Sequence, residues 1–522
     1  VTVNLFRLSS GSLTATIGSD GSLERSVKID APTLTLLPGT LLEQTLSALP
    51  TQTLAANAFP LFTGTPVRTL AFPGLPVVRI PSGTSGLFTL TPTGFNSPIP
   101  FQEGTDYDGL VSLPATSSQL SLDFTGSRLR LRFANGPSAT VLGRSLGLNG
   151  GEATLDVATG GGFTGTFRTT SNPSKNLGFN LLSFQPSGTL TLGGLASTSN
   201  PEYQLAGNFT LFLAYPNPSN PTQSLTAERN LAFDLESGEN FSATVTSGLP
   251  SFDLGWLRVQ PGGDGHVVVT RNGSTGDFAV AFNDWDLRLF GVDYNNQDFA
   301  LSSAGTLSRS LASSTFNLGS GNSLLRLVTG GTIPFEWVVN PAGSSAGRTF
   351  VDLPSTTALS FPSLPGLSGT LRDGLAFGSA LADIPATGIF DRSWSRALTL
   401  NNLDFGTVGV RLRRTTQNGA IEFTGTRSNA LWSGLNLSVS ANTGSATSFA
   451  GSLSGTFSLL GWTFGSANFT FDAGDPSAPF QGSATITDPS GTAGLTLNIK
   501  LRGGAKPCLE FNFNGPRQLC QP

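Results

Sequence analysis

The stretch Val408-Gly409-Val410-Arg411-Leu412-Arg413, followed by Asn418-Gly419 and then Ala420-Ile421-Glu422-Phe423-Thr424, decides the fold class. Val408, Val410 and Leu412 alternate with Gly or Arg, so a pleated strand puts them on one face and their neighbours on the other. Asn-Gly is a pair that readily takes positive φ, as the primed turns of tight β-hairpins require. The segment therefore predicts a hairpin with one apolar face and one polar face.

The same signature recurs along the chain. Leu120-Ser-Leu-Asp-Phe124, Leu129-Arg-Leu-Arg-Phe133, Phe469-Thr-Phe471 and Leu495-Thr-Leu-Asn-Ile-Lys-Leu501 all alternate. Asp20-Gly21 separates Leu13–Ile17 from Leu23–Ile29, Asn135-Gly136 follows Phe133, and Asn272-Gly273 separates His266–Thr270 from Asp277–Phe282. Helical spacing is rare, and Ser47–Ala58 comes closest to it. The expected fold class is all-β, with predominantly antiparallel meanders and hairpins forming an elongated multi-domain or stacked β-sandwich-like protein. A parallel β-solenoid is the alternative, disfavoured because tight antiparallel turns are frequent. The motif Ser/Thr/Ala-Gly-Thr-Leu/Phe, at Thr164, Ser187, Ala304, Ser368 and Ser454, has no fixed period and reads as a glycine ending a turn before a new strand.

Composition shifts suggest boundaries. Proline is dense between Pro32 and Pro114, and proline cannot donate to a sheet ladder. We expect a Pro-rich N-terminal β/extended region over 1–118, β-rich domains over 119–340 and 341–507, and a C-terminal disulfide hairpin over 508–522. Tyr215–Gln223 and Asn340–Ser368 are candidate breaks. The only cysteines, Cys508 and Cys520, flank Asn514-Gly515, so a turn there brings them together as a disulfide.

Charge and rare residues exclude several functions. Charged residues are 12% of the 522, about half the usual ~25%, and the net charge is −4 with basic residues scattered, which argues against a nucleic-acid partner. The longest charge-free stretches are broken by proline, so no transmembrane helix is expected. Four Tyr and six Trp are too few for the aromatic girdles of an outer-membrane barrel. Methionine is absent and the chain opens on Val1, so we expect a secretory leader removed from an extracellular or cell-surface protein.

Candidates for chemistry are sparse. His266, the only histidine, lies two residues after Asp264, which could orient it as in a triad, but no nucleophile-elbow serine accompanies it. Glu103, Asp106 and Asp108 form one carboxylate cluster. Asp284 and Asp286 flank Trp285 and precede Asp293, Asn295 and Asp298. Neither cluster has full calcium-loop spacing, and loop solvation explains both. Trp285, Trp394 and Trp432 stand beside polar residues, where a ring can stack on sugar, although alternating strands more often bury such rings. Glycosylation acceptor patterns occur at Asn208, Asn240, Asn272, Asn436 and Asn468. No catalytic residue, cofactor or enzymatic activity is expected. The expected role is a secreted structural protein whose partners are copies of itself, assembling into a filament, sheath or surface layer. A surface adhesin or carbohydrate-binding protein is the alternative, and a β-rich polysaccharide-degrading enzyme the third reading.

Overall fold

In the computed structural model the chain consists of strands joined by turns, and the one α-helix among the described residues is the single turn Thr370–Asp373. The structure describes residues 201–318, 325–341, 349–378, 381–444, 448–492 and 494–522. Before them it describes 6–9, 13–17, 23–29, 33–47, 52–54, 59–60, 68–75, 77–80, 89–91, 94–95, 99–100, 105–113, 119–125, 128–133, 138–147, 154–168, 181–184 and 188–196. Every strand pair whose register is defined among these residues runs antiparallel. A parallel solenoid stacks like-directed strands, so that alternative finds no support.

The chain forms two compact units. One comprises Val1–Phe212, Glu228–Val245 and Val268–Val280, and the other Leu213–Ala227, Thr246–Val267 and Ala281–Pro522. In the first, Arg128–Phe133 pairs on one side with Gln119–Thr125 and on the other with Thr154–Ala158. Thr154–Ala158 turns back into Gly162–Arg168, which pairs with Thr189–Leu195. The alternating residues Leu129, Leu131, Leu155, Val157, Phe163, Phe167, Leu190 and Leu192 are buried, and removing them from water drives this sheet to fold. On the polar side Arg130 sits opposite Asp156, with Nε–Oδ1 at 2.6 Å and Nη2–Oδ2 at 2.9 Å, a two-pronged pair that fixes the register.

The N-terminal strands find partners within the chain. Phe6–Ser9 pairs with Thr33–Leu36, and Leu13–Ile17 with Leu23–Ile29. Gln52–Leu54 also pairs with Leu23–Ile29, so the centre of the segment with the most helical spacing is a strand. Its Thr and Leu serve a sheet as well as a helix, and tertiary pairing decides. Asp20-Gly21 and Asn135-Gly136 lie outside the described residues. The strand after Asn135-Gly136, Ser138–Val141, pairs with Val111–Leu113 and Arg144–Gly147 rather than with Arg128–Phe133.

The second unit contains a ten-stranded meander in which each strand pairs with the next in sequence. It runs through Phe390–Leu400, Leu403–Arg414, Glu422–Arg427, Leu435–Asn442, Ser448–Leu459, Trp462–Phe471, Phe480–Thr487, Leu495–Arg502, Cys508–Asn512 and Pro516–Cys520. One face is apolar and buried, including Val410, Leu412, Phe423, Val439, Leu453, Phe469, Ile486, Ile499 and Leu509. Phe361 packs on this face against Phe423 and Phe449, with ring centroids 5.5 and 5.4 Å away. The last two strands are the expected disulfide hairpin: Cys508 lies opposite Cys520 and is bonded to it, while Asn514 and Gly515 take φ of 50° and 112°.

Turn chemistry departs from expectation elsewhere. Among the described residues the two-residue turns with positive φ at both positions are Leu142-Gly143, Phe290-Gly291, Asn401-Asn402 and Leu460-Gly461. A bulky residue in that region costs about 1–2 kcal/mol. At Phe290 packing offsets the cost, since its ring lies 5.5 Å from Trp256 and 5.8 Å from Phe316. Asn272-Gly273 and Asn418-Gly419 instead sit in longer connections, where a primed turn is not required. Gly419 N–H donates to Thr416 O at 3.0 Å, and Asn272 N–H to Asp277 O at 2.8 Å. The glycine repeat also proves heterogeneous. Gly305 precedes the strand Thr306–Leu311, whereas Gly369 opens the helical turn Thr370–Asp373.

Candidate functional site

Among the described residues His266 has no carboxylate partner. Its Nδ1 is 2.7 Å from the main-chain oxygen of Asp264, and its Nε2 is 3.3 Å from Asn283 Nδ2. A carbonyl only accepts and an amide nitrogen only donates, so Nδ1 carries the proton and Nε2 accepts. The ring is spent on holding an irregular section of the strand Leu257–Arg271. That strand runs without a break through Gly262–Gly265.

The aspartates around Trp285 are likewise structural. Asp298 Oδ1 accepts from Asp284 N–H at 3.1 Å, and Asp286 Oδ1 accepts from Asn296 N–H at 3.1 Å. Asp293 pairs with Arg288 at 3.5 Å. The register between Phe278–Leu289 and Val292–Leu301 slips on either side of Trp285, and these carboxylates satisfy amides that the slip frees. In the other cluster, Asp106 Oδ1 accepts from Gly109 N–H at 3.2 Å, whereas Glu103 lies outside the described residues. Among the described residues no three His, Cys, Asp or Glu side chains are grouped to hold a metal ion.

The tryptophans singled out by the sequence serve the core. Trp285 is fully buried beside Phe282, Phe299 and Trp337. Trp394 meets Phe377 edge-on at 4.7 Å, and Trp432 stacks on Phe457 at 5.1 Å. All five acceptor asparagines are exposed. Asn240 Oδ1 accepts from Gly273 N–H at 2.9 Å and Asn272 Oδ1 from Ser274 N–H at 2.9 Å, so both also shape loops. Asn436 and Asn468 stand on strands of the ten-stranded sheet.

That sheet carries the most distinctive surface. Four consecutive strands, Leu435–Asn442, Ser448–Leu459, Trp462–Phe471 and Phe480–Thr487, hold 38 residues without Asp, Glu, Lys or Arg. Register aligns Asn436, Ser454, Asn468, Ser483 and Asn498 in one row across five strands. A neighbouring row runs Ser438, Ser452, Thr470 and Gln481 before it meets Lys500 and Glu510. With strands about 4.8 Å apart, the first row is roughly 19 Å wide. These side chains occupy the face opposite the apolar core and are exposed or half-buried.

The sheet's ion pairs lie toward its two flanks. Arg411 clasps Asp391 with Nε–Oδ1 at 2.7 Å, and Arg413 meets Glu422 at 2.5 Å. At the other flank Lys500 reaches Asp475 at 3.3 Å and Arg502 reaches Glu510 at 2.6 Å. The hydrogen bond from Arg411 holds Asp391 below the usual carboxylate range, and Asp475 is lowered first by Ser477 and then by Lys500. Sequence reasoning overlooked the uncharged middle, although residues 428–471 contain no charged side chain.

No helix among the described residues is long and apolar enough to cross a membrane. Comparison with protein-family models, with curated proteins and with solved structures gives no match.

Proposed function

We propose that the chain is an extracellular structural protein without catalytic role, and that copies associate through the uncharged face of the ten-stranded sheet. The observation that carries this reading is the run of four adjacent strands without one charge. Surfaces that stay single in solution are typically about 25–35% charged, because stripping water from an unpaired ion costs several kcal/mol. A hydroxyl or amide loses less on desolvation and can form a new hydrogen bond across the contact. Rows of Ser, Thr and Asn are therefore wettable when alone and inexpensive to cover.

The sheet's edges favour face-to-face contact over strand addition. The last strand presents Pro516 and Arg517 and is tied back by the Cys508–Cys520 bond, and the first strand carries Asp391, Arg392 and Arg396. Charge and proline on an edge discourage pairing with another chain. The N-terminal strands Phe6–Ser9, Leu13–Ile17 and Leu23–Ile29 have partners in their own chain, which removes the motive for donating them to a neighbour. The disulfide suits an oxidising compartment.

Electron microscopy combined with sedimentation of the full unglycosylated chain tests the proposal. Repeating assemblies that grow with concentration are expected, and a single monomeric species at high concentration refutes it. Glycans at Asn436 and Asn468 would stand on the proposed contact face, so chain glycosylated at both positions should remain monomeric.

A further inference from the structure

We propose that Arg271 forms the floor of a binding site for an acidic saccharide, a ring bearing one carboxylate among hydroxyls. Arg271 is 7% exposed, and its Nε is buried without a hydrogen-bond partner among the described residues. Nη1 donates to the main-chain oxygen of Glu239 at 3.2 Å, and among the described residues no carboxylate lies within ion-pair distance. Arg130 in the same unit shows the usual arrangement, with both prongs on Asp156. A buried guanidinium without a counter-ion is costly, and an anion that binds beside it removes that cost. Burial pulls the Arg271 guanidinium below its usual value, consistent with an unneutralised cation, but an arginine stays protonated in water at any ordinary pH.

The residue lines a cleft of about 770 Å³ within the first unit. That volume falls in the range of roughly 300–1,000 Å³ that houses drug-sized ligands, and it accommodates a short oligosaccharide. The walls are braced before any ligand arrives. Ser237 Oγ donates to Asp108 O at 2.9 Å, Gly273 N–H donates to Asn240 Oδ1 at 2.9 Å, and Asn272 Oδ1 holds Ser274 N–H at 2.9 Å. Such bracing lowers the ordering cost of binding.

The rim selects among anions. Asp108 and Asp277, both exposed, line the same cleft as Arg271. Two rim carboxylates repel a dianionic phosphate or sulfate. They accept hydrogen bonds from sugar hydroxyls, and Ser274 and Thr275 add hydroxyls of their own. A uronate satisfies both ends: its carboxylate pairs with Arg271 and its hydroxyls meet the rim. This site is built entirely from the first unit and does not depend on self-association.

The test is calorimetric titration of the full, unglycosylated chain with a galactose trisaccharide in which one ring is a galacturonate, its all-galactose neutral counterpart, and sodium sulfate. We expect the acidic trisaccharide to bind at least tenfold tighter than either of the others. Arg271→Gln should weaken it at least tenfold while the melting temperature is unchanged or rises. Equal binding of neutral and acidic sugars, sulfate binding as tightly as the saccharide, no binding of the acidic trisaccharide, or unchanged affinity in Arg271→Gln each overturns the proposal. If Arg271→Gln does not fold, the Arg271 Nε–H resonance of the native chain decides. It should shift on adding the acidic trisaccharide and stay still with the neutral one, and an unmoved resonance in both titrations overturns the site.

Discussion

The middle and the flanks of the ten-stranded sheet share one hydrogen-bonding plan and differ in charge. From Leu435 to Thr487 the four strands carry no ionic side chain, whereas the strands Phe390–Arg427 and Leu495–Cys520 carry Asp391, Arg411, Arg413, Glu422, Lys500, Arg502 and Glu510. The buried face is apolar throughout, so the core does not require this segregation. The contrast is therefore confined to the solvent side. Charges discourage contact at the flanks, and hydroxyl and amide rows permit it between them.

Steric tolerance does not follow this division and is set glycine by glycine, since Gly406 at the flank is crowded and Gly465 in the middle is not. A methyl group built on Gly455, in the middle, falls 2.0 Å from Gly434 O, and Gly455 has φ of 145°. One built on Gly409, at the flank, meets nothing closer than Thr426 O at 3.7 Å. Gly455→Ala should therefore destabilise the second unit by about 3 kcal/mol or more, while Gly409→Ala should stay within about 0.5 kcal/mol. Denaturant titration of both variants would show it. Similar losses for the two would mean that the close approach of Gly455 to Gly434 O is relieved at little cost.

Removal of the disulfide should act only on the last flank. Cys508 and Cys520 are 12 residues apart, and opening such a loop costs about 2–3 kcal/mol in the chain-entropy account. In a Cys508→Ser, Cys520→Ser variant, hydrogen exchange should quicken across 508–520 and remain native across 435–487. Uniform acceleration would show that the sheet opens as one unit.

Acid should separate the regions with the smallest effect. Asp391 and Asp475 are lowered in the folded chain, so their contribution is complete above the ordinary carboxylate range and is lost as pH falls through their depressed values. Both are solvent-screened, so the loss is small. The four middle strands have no carboxylate of their own; Asp475 stands in the loop that joins two of them, so acid acts on 472–479 as well as on strands 390–414. Exchange followed from pH 6 to pH 2.5 and corrected for intrinsic rates should loosen 390–414 and 472–479 slightly before 435–471. The reverse order would place the acid-sensitive contacts in the middle. Neutralising the flank pair with Glu422→Gln should cost less than about 1 kcal/mol.

The strands were legible because period-two alternation follows directly from a pleated backbone. Val408–Leu412, Leu120–Phe124 and Leu495–Leu501 all fall in strands. The C-terminal disulfide was legible too, because Asn514-Gly515 forces the return that sets Cys508 opposite Cys520. Turn types were less readable. Phe290-Gly291 adopts the hairpin conformation because the phenyl ring is packed, and local propensity does not report that. The uncharged run was open to inspection in residues 428–471, but its meaning depends on which strands become neighbours. Arg271 gave no signal in sequence, since its isolation depends on what the surrounding loops fail to provide.

The most direct test of the assembly account is sedimentation velocity on the native chain beside a Ser452→Lys, Asn468→Lys variant. Both positions are on the uncharged face and away from the core, so the variant should keep the native melting temperature. Concentration-dependent large species are expected for the native chain and a monomer for the variant. A monomeric native chain, or a variant that assembles as the native chain does, would contradict it.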